Sequence, residues 1–311
     1  MTSNRRLIID SIKPDENKFK KLKFDPNNRV ILCNASCEKL LDKFEDNSIQ
    51  LIITSPPYNV GKEYETIMDF EEYIHWQDSI IEKCINKLSN TGSICWQVGN
   101  YVNKSRGNEI FPLDIYLYES FKKRGMKLRN RIIWHFGHGL HSSNRFSGRY
   151  ETILWFTKTD NYVFNLDNVR VPQKYPGKKH YKGNNIGEYS SNPLGKNPSD
   201  VWDIPNVKSN HVEKTEHPCQ FPIALVSRLI LALSNPNDLV IDPFMGTGTT
   251  QCAAILNKRR TAGSELYSNY YEIAKSRIKA SIDGTLRYRE DKPIYEPQKG
   301  SKLTTNPFKN K

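Results

Sequence analysis

Short aliphatic runs alternate along most of this chain with longer segments whose apolar residues recur at three- and four-residue intervals. The first pattern predicts strands buried on both faces, and the second predicts helices with one apolar stripe. From Arg29 the order is a strand (VILCN), a segment of helical spacing (CEKLLDKF), and a strand (IQLIITS) that runs straight into Pro56-Pro57. Successive prolines cannot continue a central ladder, so that strand ends there. Phe70 to Leu88 carries Tyr73, Ile74, Ile80, Ile81, Cys84, Ile85 and Leu88 at helical spacing, and Asn90-Thr91-Gly92 turns the chain into the strand SICWQV. A helix over Leu113 to Arg124, with Gly125 suited to its C-cap, precedes two β-rich runs, RNRIIWHF and YETILWFT. These read as an antiparallel hairpin with a basic connection. Beyond Pro222 come a helix (IALVSRLILAL), a turn (NPND), a strand (LVIDPF), a helix (GTGTTQCAAILNK), a strand (TAGSEL) and a last helix (NYYEIAKSRIKASI). Strands and helices in such alternation predict a doubly wound α/β sheet.

Three stretches break the pattern. Residues 1–28, rich in Lys, Asp and Asn, read as a loosely ordered arm in which Arg5 to Ile9 suits a short strand. Residues 165–215 change to Pro, Gly, Asn, Lys and Tyr with little periodicity, the texture of a loop-rich functional lobe. Residues 284–311 are polar and aperiodic, which predicts a flexible basic tail. The remaining blocks, 29–164 and 216–283, are the two halves of one α/β domain.

Composition narrows the function. Across 311 residues, 46 Lys and Arg stand against 34 Asp and Glu, a net charge of +12 that suits a polyanionic partner. No window approaches the roughly 18 apolar residues of a membrane span, so a cytoplasmic protein is expected. The six cysteines (Cys33, Cys37, Cys84, Cys95, Cys219, Cys252) form no CxxC pair, which argues against a zinc ribbon or a disulfide framework. His135, His138 and His141 share a glycine-containing loop without a cysteine or carboxylate at ligand spacing, and no metal is expected.

Two motifs carry the chemistry. Asp242-Pro243-Phe244-Met245-Gly246-Thr247-Gly248-Thr249-Thr250 lies where a strand turns into a helix, the place at which α/β sheets bind nucleotides. Gly246 and Gly248 allow close backbone approach. Gln251 stands where a dinucleotide fingerprint would have its third glycine, and the GK[ST] ending of a phosphate loop is missing. One strand later, Glu265 is placed to accept hydrogen bonds from ribose hydroxyls.

The second motif is Thr54-Ser55-Pro56-Pro57-Tyr58 at the end of a buried strand. An aromatic amine delocalises its lone pair into its ring and must rehybridise before attacking a sulfonium methyl. Acceptors aimed at its N–H bonds favour that change, and the Ser55 hydroxyl and Pro56 carbonyl are suitable, with Pro57 stiffening the turn. Tyr58 offers a flat face for an extruded base.

TSPPY together with DPFMGTGTT resembles the amino-group DNA methyltransferases of restriction-modification systems, over roughly Arg29 to Ile282. The catalytic motif precedes the cofactor motif, as in the β arrangement of that family. The resemblance implies a mostly parallel seven-stranded sheet, S-adenosylmethionine as cofactor, and methylation of a base in double-stranded DNA. It places Ser55 to Tyr58 in the catalytic loop, and Asp242, Phe244, Gly246, Gly248 and Thr249 in the loop that holds the methionine end of the cofactor. Glu265 becomes the ribose acceptor. His217-Pro218-Cys219-Gln220-Phe221-Pro222 resembles the segment that closes over the cofactor. Asn34 stands where family members often have Asp, and its amide suits an adenine edge. A homodimer and a cognate restriction endonuclease are the protein partners the resemblance raises. A serine before the prolines resembles the N4-cytosine enzymes, and Asp or Asn is more frequent there in the N6-adenine enzymes.

Pro218-Cys219-Gln220 also matches the nucleophile motif of carbon-5 cytosine methyltransferases. In those enzymes it follows the cofactor glycines and is joined by a Glu-Asn-Val motif; here it precedes them and that motif is missing, so Cys219 is read as a packing residue. For DNA contact the sequence offers Arg145 and Arg149 in the hairpin loop. The lobe adds Lys174, Lys178, Lys179 and Lys182, interleaved with Tyr175 and Tyr181. An RNA or protein-amide methyltransferase, and an inactive DNA-binding module, remain as competing readings.

Overall fold

The computed structural model describes residues 9–62, 67–103, 106–137, 139, 141–172, 179–190, 192–208 and 210–290. In chain order the strands are β1 (Ile9–Ile12), β2 (Lys20–Lys21), β3 (Val30–Cys33), β4 (Ile49–Thr54), β5 (Leu88–Val98), β6 (Asn100–Asn103), β7 (Glu109–Pro112), β8 (Lys127–His135), β9 (Tyr150–Thr157), β10 (Val201–Asp203), β11 (Leu239–Asp242) and β12 (Arg260–Ser264). The helices are α1 (Cys37–Leu41), α2 (Phe70–Lys87), α3 (Leu113–Lys122), α4 (Ile223–Leu233), α5 (Thr249–Leu256) and α6 (Ser268–Ile282).

One sheet organises the molecule, in the order β10-β8-β9-β5-β4-β11-β12-β3-β1-β2. The strands β3, β12, β11, β4 and β5 run parallel, and β9 returns antiparallel between β5 and β8. The seven strands from β8 to β3 are the expected sheet. Three short edge strands raise the total to ten, and each is there for a local reason. β1 pairs antiparallel with β3, and Ile12 is fully buried beneath it. β2 extends β1, and β10 runs parallel to β8.

Side chains alternate across the sheet, except at the irregularity between Ile49 and Leu51. Val30, Leu32, Leu51, Ile53, Ile153 and Trp155 enter a core with α4, α5 and α6. Ile31, Cys33, Ile52, Ile94, Trp96 and Leu154 enter a second core with α1, α2 and α3. Three helices thus cover each face, which is why the strands read as continuous apolar runs.

The periphery departs from expectation in three ways. The arm carries a sheet strand at Ile9–Ile12, and the expected strand at Arg5 to Ile9 lies outside the described residues except for Ile9; the buried Asp10 accepts the Tyr271 hydroxyl at 2.7 Å. The turn read at Asn90-Thr91-Gly92 is absorbed into β5, because the strand starts at Leu88 and shifts register against β4 before Ser93. The tail is held as far as residue 290: Leu286 N bonds Ala280 O at 3.1 Å, its side chain packs on the core, and Arg289 N donates to Glu213 at 3.1 Å. Among the described residues of 165–215 regular structure is sparse, yet β10 stitches this segment to β8, and the buried Trp202 and Ile204 join the core beside Trp134. Among the described residues no helix is long and apolar enough to cross a membrane.

Candidate active site and cofactor pocket

Parallel strands deliver all their carboxyl ends to one edge of the sheet. Between β4 and β11 the connections diverge: β4 leads to α2 on one face and β11 to α5 on the other. That divergence leaves a crevice at the switch point, where doubly wound sheets bind ligands. A cavity of about 730 Å³ occupies it.

Ser55, Pro56, Pro57 and Tyr58 line this cavity from the end of β4, and Phe244, Gly246 and Thr249 line it from the turn after β11. Glu265 closes one side beyond β12, and Phe221 reaches it from the segment before α4. Folding therefore brings the serine-proline turn and the glycine turn into one pocket. A direct clasp joins their roots: Thr54 Oγ1 donates to Asp242 Oδ1 at 2.6 Å.

Asp242, Gly248 and Asn34 do not face the cavity. Each has a supporting task instead. The second carboxylate oxygen of Asp242 accepts Thr250 Oγ1 at 2.8 Å, and Phe244 N donates back to Oδ1 at 3.0 Å, so the carboxylate shapes the turn from below. Burial pushes its carboxyl up to about 6, against the pull of these donors. Gly248 takes φ +76, and a Cβ there would stand 3.0 Å from Ala274 Cβ, so its smallness seats α5 against α6. The Asn34 amide donates to the carbonyls of Glu265 (2.8 Å) and Leu266 (3.2 Å), while Ser268 Oγ donates to its oxygen at 2.8 Å. It fixes the loop that carries Glu265 rather than presenting an edge to a ligand.

Gly246 is the glycine on the wall. Its φ of +51 disfavours other residues, and an added Cβ would come within 3.4 Å of His217 Nε2. His217 is itself buried, and that burial lowers its imidazole to about 4, so at neutral pH it presents an uncharged ring. Burial raises the Glu265 carboxyl to about 7, offset by backbone N–H groups of which Tyr267, at 2.8 Å, is the strongest. A wall without Cβ, a carboxylate one strand away and aromatic walls from Trp76, Phe244 and Tyr267 suit a nucleoside with a flexible extension.

The serine-proline turn is braced from several sides. Pro57 O accepts Tyr73 Oη at 2.9 Å and Gln77 Nε2 at 3.4 Å, both from α2. Asn59 is buried and exchanges two 2.9 Å bonds with the Met68 backbone. The Tyr58 hydroxyl meets Ser55 Oγ at 2.9 Å and donates to Glu151 Oε2 at 3.2 Å, and Gln97 Nε2 donates to the same oxygen at 2.5 Å. Glu151, Gln97 and Gln77 escaped the sequence reading; Tyr73 entered it only as part of a helical stripe, and His217 only within the segment that resembles the cofactor-closing one. Only Glu151 carried a signal, as an acidic side chain opening the otherwise apolar run of β9.

The DNA-contact candidates among the described residues do not line the cavity. Arg145 is exposed on the hairpin loop, and Arg149 lies beside Gly139 with a bond to Gly148 O at 2.8 Å. Lys179 and Lys182 are exposed on the lobe next to the exposed rings of Tyr189 and Tyr181. Lys174 and Lys178 fall outside the described residues. Trp134 and Phe136 at the start of the hairpin loop, and Asn206 and Val207 at the end of the lobe, border the cavity mouth.

Fold and pocket define a cofactor-binding α/β enzyme, and comparison with known proteins supplies the family. The model of the N6 and N4 methyltransferase family, described as DNA methylase, matches residues 49–276. This chain belongs to that family of S-adenosylmethionine-dependent DNA methyltransferases. It is 50% identical over 241 residues to the type II methyltransferase M.BglII of Bacillus subtilis, an alignment covering 78% of this chain and 66% of that enzyme. It is 34% identical to the type II methyltransferase M.ScaI of Streptomyces caespitosus, covering 89% of this chain and 90% of that one. Among solved structures, a protein of Thermus thermophilus described as a DNA modification methylase, solved in complex with S-adenosyl-L-methionine, superposes with a TM-score of 0.58. That match has 26% identity and covers 80% of this chain and 95% of that one.

Proposed function

We propose that this chain methylates the N4 amino group of cytosine within a specific sequence of double-stranded DNA. The observation that carries the reading is the shared cavity, with Ser55 at its catalytic end and Gly246 at its cofactor end. When bound, S-adenosylmethionine supplies an electrophilic methyl on a sulfonium. Gly246, Phe244, Thr249 and Phe221 would hold its methionine end, and Glu265 its ribose.

The protein's own contribution is alignment. The extruded base stacks on Tyr58, whose hydroxyl is anchored, and its amine meets two acceptors, the Ser55 hydroxyl and the Pro56 carbonyl. The Pro57 carbonyl is already bonded from α2, so the turn cannot swing to present it instead. Two acceptors on one amine favour the tetrahedral nitrogen needed for attack, and their fixed positions avoid reorganisation at the moment of transfer. Serine, unlike a carboxylate, adds no second charge to the pocket.

On this reading residues 165–215 form the target-recognition lobe, with residues 29–164 and 216–283 as the catalytic and cofactor halves. Arg145, Arg149 and the lobe lysines neutralise phosphate. Both named relatives are type II methyltransferases, so a companion restriction endonuclease belongs to the reading, together with a homodimer and a cytoplasmic location. Methylation of mixed-sequence duplex DNA followed by nucleoside mass spectrometry tests the base: N4-methylcytosine is expected, and N6-methyladenine alone would overturn the assignment.

A further inference from the structure

We propose that Glu151 sets the direction of the hydroxyl chain at the catalytic turn: by accepting the Tyr58 phenol proton it makes Ser55 donate inward to Tyr58, leaving the Ser55 lone pairs for the amine of the target base. The inference rests on the reading of the Ser55 turn given above and deepens it.

Ser55 Oγ and Tyr58 Oη are 2.9 Å apart, and each carries one proton, so the pair can point either way. If Tyr58 donated to Ser55, the serine proton would project into the cavity and would suit a ring nitrogen, not an amine. The second bond of Tyr58 removes that freedom. Its partner is Glu151 Oε2 at 3.2 Å; burial raises this carboxyl, but the Gln97 and Tyr58 donors pull it back and favour the ionised form, which can only accept, so the phenol proton goes there and the serine proton follows inward. Gln97 Nε2 points an N–H at Tyr58 Oη from 3.5 Å and bonds Glu151 Oε2 at 2.5 Å, consistent with the same polarity at both oxygens.

The scaffold reason lies in sheet register. Gln97 of β5 stands opposite Ile153 of β9, which makes Glu151 its diagonal neighbour on the same face. At Gly99 an added Cβ would lie 3.2 Å from the Tyr58 ring and 3.6 Å from Glu151 Cγ, so a glycine there lets the ring settle closely against the end of β5. Burial raises the Tyr58 hydroxyl well above its ordinary value, which keeps the proton the chain requires. Glu151 does not touch the base in this scheme; it is a positioning residue acting through Tyr58.

A double-mutant cycle on the full-length enzyme tests it, with single-turnover methylation of duplex DNA as the rate and calorimetric S-adenosylmethionine affinity as the control. Glu151→Leu should slow transfer by about tenfold to a hundredfold, the range for one charge-assisted hydrogen bond, and Glu151→Gln, which keeps a neutral acceptor, by less. Cofactor affinity should stay within about twofold. Combined with Tyr58→Phe, either Glu151 change should cost nothing further, because the chain is already cut. Where Glu151→Leu does not fold, the Glu151→Gln and Tyr58→Phe pair completes the same cycle. Losses that multiply, or full rates in both Glu151 variants, overturn the proposal. Ser55→Ala separates the two levels: if it retains the full rate, the reading of the turn fails as well, whereas its loss beside unaffected Glu151 variants sinks the Glu151 inference alone.

Discussion

The Thr54 hydroxyl and the Asp242 carboxylate meet at 2.6 Å although 188 residues separate them, and both are buried. This bond ties the last residue of the catalytic strand to the first residue of the cofactor turn. The distance between methyl donor and acceptor therefore depends on two adjacent strands of a rigid sheet rather than on a flexible loop.

Removing the clasp should affect both ends at once. Thr54→Val keeps the shape and deletes the donor, leaving a buried carboxylate short of one partner. A loss of about 1–3 kcal/mol in stability is expected, together with a slower transfer rate. Thermal unfolding and single-turnover kinetics on the same samples check this; an unchanged melting temperature would mean the bond contributes nothing.

The two glycines of the turn should separate by phenotype. Gly246→Ala puts a methyl at the cavity wall and strains a φ of +51, and should weaken S-adenosylmethionine binding by more than about tenfold. Gly248→Ala drives a Cβ to 3.0 Å from Ala274, so its main effect should be a lower melting temperature. Calorimetry and thermal melts on both variants give the answer, and identical phenotypes would contradict the division.

Glu265 should make cofactor binding depend on pH near neutrality. Its carboxyl is raised to about 7 by burial, and only the ionised form accepts two hydroxyl bonds, so affinity should increase as pH rises through about 7. The sign for stability is opposite. A folded-state value above the unfolded one means that the folded form holds the proton more tightly. The group's stabilising contribution is therefore complete below the unfolded value near 4.5 and is lost as pH climbs through about 7. Glu265→Gln should flatten both profiles, measured by calorimetric titration and by melts of the cofactor-free enzyme.

The lobe lysines should act on DNA and not on cofactor. Replacing Lys179 and Lys182 by Ala should reduce the slope of log affinity against log salt by about 1 to 2, roughly one for each phosphate no longer neutralised. Filter binding across a salt series measures it. A slope equal to wild type would remove both residues from the interface.

Much of the site was legible because its residues are local to strand ends. Gly246 and Ser55 each sit where an aliphatic run stops, and a parallel sheet sends all such stops to one edge. Glu151 was not legible as a partner of Tyr58, since its role follows from the antiparallel register of β9 against β5. Asp242, Gly248 and Asn34 looked like ligand contacts because they neighbour residues that line the cavity; tertiary packing gives them supporting hydrogen bonds and contacts instead.

The sequence by itself determined the alternation of strand and helix, the two-face burial of the central strands, and the order of the catalytic and cofactor motifs, because periodicity, proline and glycine act within a few residues of chain. Only the tertiary structure decided that β11 lies beside β4, that residues 9–28 and 284–290 join the body, and that a glutamate on β9 holds Tyr58. Those outcomes depend on contacts between residues far apart in the chain, and such contacts are set by packing whole elements together rather than by any local preference.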